Sequence, residues 1–182
     1  MKKNAEPTWP DEVHALLKAA GVRQVAIVPD AGHARLIKRC EQDKSMRVVR
    51  LTTEEEGVAL LAGAWLGGEK GVLLMQSSGV GNCINMLSLP LACQFPLLML
   101  VTMRGDLGEF NPAQIPMGNA TQAVLEALGV IVKHVDADVD VPDMVSGALH
   151  LAFNTYRPVA LLIGQRLLGA KDFRKLTASV SE

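Results

Sequence analysis

Apolar positions in this chain gather into two kinds of run. Residues 72–75 (VLLM), 96–103 (PLLMLVTM) and 158–163 (PVALLI) are continuously apolar, the pattern of strands buried on both faces. Residues 24–28 (QVAIV), 46–51 (MRVVRL) and 130–135 are shorter and rich in β-branched residues, and they complete a set of six strands. Between them lie segments of helical character at 10–20, 33–42, 54–66, 81–93, 121–128 and 141–154. Gly21, Gly67-Gly68 and Gly129 stand where three of these should stop, and Pro90 is expected to bend or end the fourth.

Strands separated by helices of this size predict βαβ units. The expected fold is α/β: three layers, a mostly parallel sheet with helices on both faces. A single domain over residues 10–170 is expected, with tails at 1–9 and 171–182. Ligands of such folds sit at the carboxyl ends of the strands. That rule selects four loops, at residues 29–32, 52–54, 76–82 and 104–114, the last within a long polar stretch running to Gly118.

Composition narrows the function classes. The 182 residues carry 18 basic and 19 acidic side chains and are 49% hydrophobic. This is too apolar for a disordered chain and too evenly charged for a nucleic-acid binder driven by phosphate attraction. No Asp, Glu, Lys or Arg occurs from Gly71 to Met103. Gln76, Ser77, Asn82 and Pro90 interrupt that run, so it lacks the roughly 20 consecutive apolar residues of a membrane span. Residues 1–10 hold two lysines and no apolar core, unlike a signal peptide or anchor. Cys40, Cys83 and Cys93 are odd in number and lack CxxC spacing, which predicts free thiols in the cytoplasm. The four histidines show no metal-ligand pattern, and no metal site is expected on this chain.

The four loops carry the candidate chemistry. Residues 76–82 (QSSGVGN) follow a strand and open a helix, the location of a phosphate-binding turn. They lack both the third glycine of a dinucleotide fingerprint and the Gly-Lys-Ser/Thr of a P-loop, and a tight strand-to-helix turn explains the glycines equally. Glu54, Glu55 and Glu56 complement the positive end of a helix dipole, with Thr52 and Thr53 as caps. One of the three, held in a dry site, is a candidate to exchange a proton with a ligand. His33 reads as an ordinary helix-start residue. Arg104, following a buried strand, suits a carboxylate, sulfonate or phosphonate, or else a loop ion pair with Asp106 or Glu109.

Four blocks then carry a resemblance: TEEEGVALLAG (53–63), LMQSSGVGN (74–82), Arg104-Gly105-Asp106 and PAQIPMG (112–118). In this order and at these separations they resemble the alpha subunits of sulfopyruvate decarboxylase, with phosphonopyruvate decarboxylase as a relative. The resemblance implies the pyrimidine-binding half of a thiamine-diphosphate enzyme. The implied enzyme is a carbon–carbon lyase converting 3-sulfopyruvate to sulfoacetaldehyde and CO2, a step of coenzyme M biosynthesis. In such enzymes a helix-start glutamate hydrogen-bonds N1′ of the cofactor's aminopyrimidine and promotes deprotonation of the thiazolium carbon, which attacks the 2-oxo acid. Counting nine residues back from Gly63 assigns this role to Glu54, with Glu55 the runner-up.

By the same resemblance Glu54, Gln76, Ser78, Gly79, Gly81 and Asn82 form the cofactor site, and Asp30, His33, Arg104 and Gln114 face the substrate. Ser77 stands where this family has Asn, and Ile115 where the phosphonopyruvate relatives have His, which favours sulfopyruvate. The Gly-Asp-Gly motif that holds diphosphate and Mg2+ in these enzymes is missing, since Gly105-Asp106-Leu107 fails at its third position. The implied partner is a beta subunit carrying that motif and the Mg2+, in a hetero-oligomer, with self-association of the lone chain left open. The alternatives are another 2-oxo acid, such as phosphonopyruvate, or a non-catalytic regulatory or assembly domain of the same fold.

Overall fold

The structure, a computed structural model, describes residues 8–106 and 108–168. Six strands, β1 (Val22–Ile27), β2 (Arg47–Arg50), β3 (Lys70–Gln76), β4 (Leu97–Thr102), β5 (Ile131–Val135) and β6 (Pro158–Ile163), pair in the order β2-β1-β3-β4-β6-β5. Every pairing is parallel. The helices are α1 (Trp9–Ala19), α2 (Ala34–Gln42), α3 (Glu54–Leu66), α4 (Ser77–Cys83), α5 (Ser88–Cys93), α6 (Ile115–Ala127), α7 (Val141–Thr155) and the short α8 (Gln165–Leu168).

Successive side chains on a strand point to opposite faces, and the two halves of the core follow from that alternation. Val72, Leu74, Leu98, Leu100, Val159 and Leu161 pack with the buried faces of α1, α2 and α7. Leu73, Met75, Met99, Val101, Ala160 and Leu162 pack with α3, α4 and α6 on the other side. Both faces of β3, β4 and β6 are therefore covered, which is why these strands read as unbroken apolar runs. The uncharged stretch is the buried centre of the sheet together with α4 and α5. No helix among the described residues is long and apolar enough to cross a membrane.

Several expected boundaries move. The first helix begins at Trp9, which is buried and so belongs to the domain rather than to a tail. Residues 1–7 and 169–182, most of both expected tails, and Leu107 lie outside the described residues. The single helix expected over 81–93 is two, α4 and α5, separated by a turn ending at Leu87, whose side chain is fully buried. Pro90 sits in the first turn of α5, where its missing N–H leaves no vacancy in the helix, so it ends nothing. The loop after β4 is shorter than expected, because α6 starts at Ile115 with Pro116 in its first turn. A Cβ at Gly118 would overlap the Arg104 carbonyl oxygen, so glycine there lets α6 lie directly on the β4 loop.

The three cysteines are free thiols in distinct settings. Burial pushes the Cys40 and Cys83 thiols up to about 12, helped by Asp43 and Glu41 beside the first and by Glu54 and Glu55 beside the second. Cys93, at the end of α5, is exposed. Because the thiolate is the reactive form, titration of the folded chain with a disulfide reagent at pH 8 should modify Cys93 alone, and denaturant should release the other two. Rapid reaction at two sites in the folded protein would contradict this packing.

Candidate functional site

The carboxyl ends of β1 and β3 lie side by side where the chain departs to opposite faces, α2 below one and α4 above the other. Such a divergence opens a crevice at the sheet end, the usual binding position in doubly wound folds. Asp30 follows β1 and reaches past the end of β3 to that of β4. Its Oδ1 accepts from Gln76 Nε2 at 3.0 Å, and its Oδ2 accepts from Thr102 Oγ1 at 2.7 Å and from the Gly32 N–H at 2.9 Å. Burial opposes ionisation, but Thr102, His33, Gln76 and the Gly32 N–H outweigh it and hold the Asp30 carboxyl below the usual range. The other end of Gln76 is also engaged, since Ser78 Oγ donates to its Oε1 at 2.9 Å.

Glu54 opens α3 on the far side of α4. Of the three acids in that turn it alone is buried, with 8% of its surface exposed. Glu56 instead reaches back to accept from the N–H of Thr52, the residue before the N-cap, at 2.8 Å, while Thr53 makes no side-chain cap. Asn82 Nδ2, on α4, donates to Glu54 Oε2 at 2.8 Å. A Cβ added at Gly79 would lie 2.5 Å from the Glu54 carboxyl carbon and from Oε1, so a glycine here is what gives the carboxylate its room. The Gln76–Asn82 segment, expected as a turn, is thus the first turns of a helix pressed on Glu54.

Two expected substrate contacts are engaged within the protein itself. His33 is fully buried, its Nε2 donating to the Leu100 carbonyl at 3.0 Å, and burial holds its pKa down against the pull of Asp30. A ring enclosed in this way cannot touch a substrate; it sits behind Asp30. Arg104 is held by an acid that the sequence offered only as an alternative, because Glu109 accepts from its Nε at 2.7 Å and its Nη2 at 2.6 Å. The guanidinium also stacks 5.2 Å over the Phe110 ring. Its Nη1 takes part in neither ion-pair bond, and Arg104 lines a small cavity of about 70 Å3 with Asp30, Thr102, Phe110 and Gln165. Gln114 ends a one-turn 3-10 helix and precedes α6 at the margin of this loop.

Sequence reasoning missed Thr102 and Gln165, and it named Glu109 only as an alternative ion-pair partner of Arg104. Glu109, with 2% of its side chain exposed, also accepts from the Gly105 and Asn111 N–H groups and from Gln165 Nε2, while Gln165 Oε1 takes the Asp106 N–H. Nothing local marks Glu109 rather than Asp106 as the centre of this network, and Gln165 lies 56 residues away. Among the described residues no three His, Cys, Asp or Glu side chains gather as a metal-binding group. A groove of about 710 Å3 runs along α1 and α2 away from Glu54, and two of its cations, Arg35 and Arg39, pair with Asp11.

Residues 10–109 match the family described as thiamine pyrophosphate enzyme, N-terminal TPP binding domain. The chain is 36% identical to the sulfopyruvate decarboxylase subunit alpha of Methanococcus maripaludis over 154 residues, 84% of this chain and 92% of that one. It is 30% identical over 163 residues to a sulfopyruvate decarboxylase of Methanosarcina acetivorans, covering 89% of this chain but 41% of the longer protein. The fold superposes with a TM-score of 0.68, at 18% identity, on 2-oxoglutarate:ferredoxin oxidoreductase from Magnetococcus marinus, covering 88% of this chain and 29% of that one. A buried helix-start glutamate beside a glycine on the facing helix suits an aminopyrimidine, and the chain belongs to the sulfopyruvate decarboxylase alpha-subunit family of thiamine-diphosphate-dependent decarboxylases.

Proposed function

We propose that this chain supplies the pyrimidine half of an active site that decarboxylates 3-sulfopyruvate to sulfoacetaldehyde, and that a partner subunit supplies the diphosphate and Mg2+ half. The observation that carries the reading is Glu54: a buried carboxylate with Oε2 anchored by Asn82 and Oε1 left without a hydrogen bond from any described residue. Bound thiamine diphosphate supplies the electron sink that loss of CO2 from a 2-oxo acid requires. Glu54 Oε1 is the acceptor for a proton at the pyrimidine N1′, and Gly79 gives the carboxylate the room to hold this position. Asp30 and Gln76 frame the adjoining crevice, and Arg104 offers its Nη1 hydrogens to the anionic end of the substrate. Glu55 and Glu56 point the proton role elsewhere less well, being more exposed and, for Glu56, already engaged by the Thr52 N–H.

Support for a partner comes from two sides. The sequence contains no Gly-Asp-Gly, and the Methanosarcina acetivorans sulfopyruvate decarboxylase is more than twice as long as the piece this chain matches. The purified chain alone should neither bind thiamine diphosphate tightly nor release CO2 from sulfopyruvate, and adding a subunit with the Gly-Asp-Gly motif should restore both. Full activity from the lone polypeptide would refute the shared site. A panel of sulfopyruvate, phosphonopyruvate and pyruvate should rank sulfopyruvate first by kcat/KM, and preference for another member would reassign the substrate.

A further inference from the structure

The proton role proposed for Glu54 requires that one chosen carboxylate oxygen face the cofactor. A carboxylate on a free side chain presents either oxygen, and rotation about its terminal bond is broad. In this chain the choice is made by one residue. Asn82 Nδ2 donates to Oε2 at 2.8 Å, and the α carbon of Gly79 closes against the same carboxyl group. Asn82 is itself placed by α4, whose first residues are fixed at two points: Ser77 Oγ accepts from the Arg104 N–H at 3.1 Å, and the preceding Gln76 is held by Asp30.

We propose that Asn82 is a positioning residue: its amide clamps Glu54 Oε2 so that Oε1 alone is presented to the cofactor. The inference rests on Glu54 being the pyrimidine-facing acid. It differs from a direct contact between Asn82 and the cofactor, because the amide N–H is directed at the glutamate. A carboxylate deprived of this donor turns, shares its proton interactions between two oxygens, and loses the alignment that proton transfer needs.

Asn82→Asp provides the sharpest test, since aspartate has the same shape but no donor and sets a second acid against Glu54. In the complex assembled with its partner, turnover should fall roughly tenfold to a hundredfold, the range seen for groups that orient a site residue. Asn82→Ala should fall less than Asn82→Asp, and KM for the 2-oxo acid should stay unchanged in both. A second readout is thiamine diphosphate affinity by calorimetry, measured in wild-type and Glu54→Gln backgrounds. Asn82→Asp should weaken binding in the wild-type background and have little further effect beside Glu54→Gln. Wild-type turnover in Asn82→Asp, or an equal loss of affinity in both backgrounds, overturns the clamp. Wild-type turnover in Glu54→Gln alone overturns the underlying assignment of the acid, and the clamp with it.

Discussion

Glutamine at position 54 is expected to lower turnover of the assembled decarboxylase by roughly 10²- to 10⁴-fold, the share a positioned acid–base group contributes. Glutamine keeps the shape of the side chain, and its carbonyl oxygen can still accept from Asn82, so the fold should survive the change. What is lost is the carboxylate oxygen that exchanges a proton. Melting temperature should therefore stay close to wild type while kcat collapses, and KM should change little. Glutamine at position 55 should leave most activity intact, since that side chain is only partly buried. Comparable losses at both positions would show that the acid triplet acts through its collective charge. Near-normal activity in Glu54→Gln would move the role or discard it.

The second large effect is on stability. Glu109→Ala removes one carboxylate that satisfies Arg104, Gln165 and two backbone N–H groups. Removing the acceptor from this partly buried set of donors costs about 1–3 kcal/mol, and thermal unfolding should register it as a drop of several degrees. The pH dependence follows from the ion pair. Hydrogen bonds from Arg104, and then from the Asn111 and Gly105 N–H groups, hold the Glu109 carboxyl well below the usual carboxylate range despite its burial. The unfolded chain takes up this proton near pH 4.3, before the folded chain does. Its stabilisation is therefore complete above that value and is lost as pH falls below it. The stability gap between wild type and Glu109→Gln should be constant from pH 6 to 8 and narrow below about pH 4. A gap that widened in acid would exclude Glu109 as the stabilising carboxylate.

The fold was legible where a local pattern and burial coincide. Strands β3, β4 and β6 announce themselves because both faces are covered, and α3 because glycines follow it. The division between α4 and α5 was not legible, because the turn before Ser88 is set by burying Leu87 under the sheet and Pro90 is a weaker signal than it looks. The site divided in the same way. Glu54 and the glycine turn emerged from the spacing of short motifs shared with the family. Glu109 was legible as a loop partner of Arg104, but the hold of Gln165 on Glu109 comes from 56 residues away and that of a β4 carbonyl on His33 from 67. Partners of this kind are chosen by the sheet order, and no window along the chain contains them.

Gln76 has a consequence of its own. An amide side chain that faces a crevice has two orientations, and a ligand normally has to select one. Asp30 accepts from the Nε2 end and Ser78 donates to the Oε1 end, and a flipped amide would set its oxygen against the acceptor-only Asp30 carboxylate. The crevice floor is thus preorganised before any cofactor arrives. Binding need not freeze that rotor, whose immobilisation would otherwise consume about 0.5–1.5 kcal/mol of affinity.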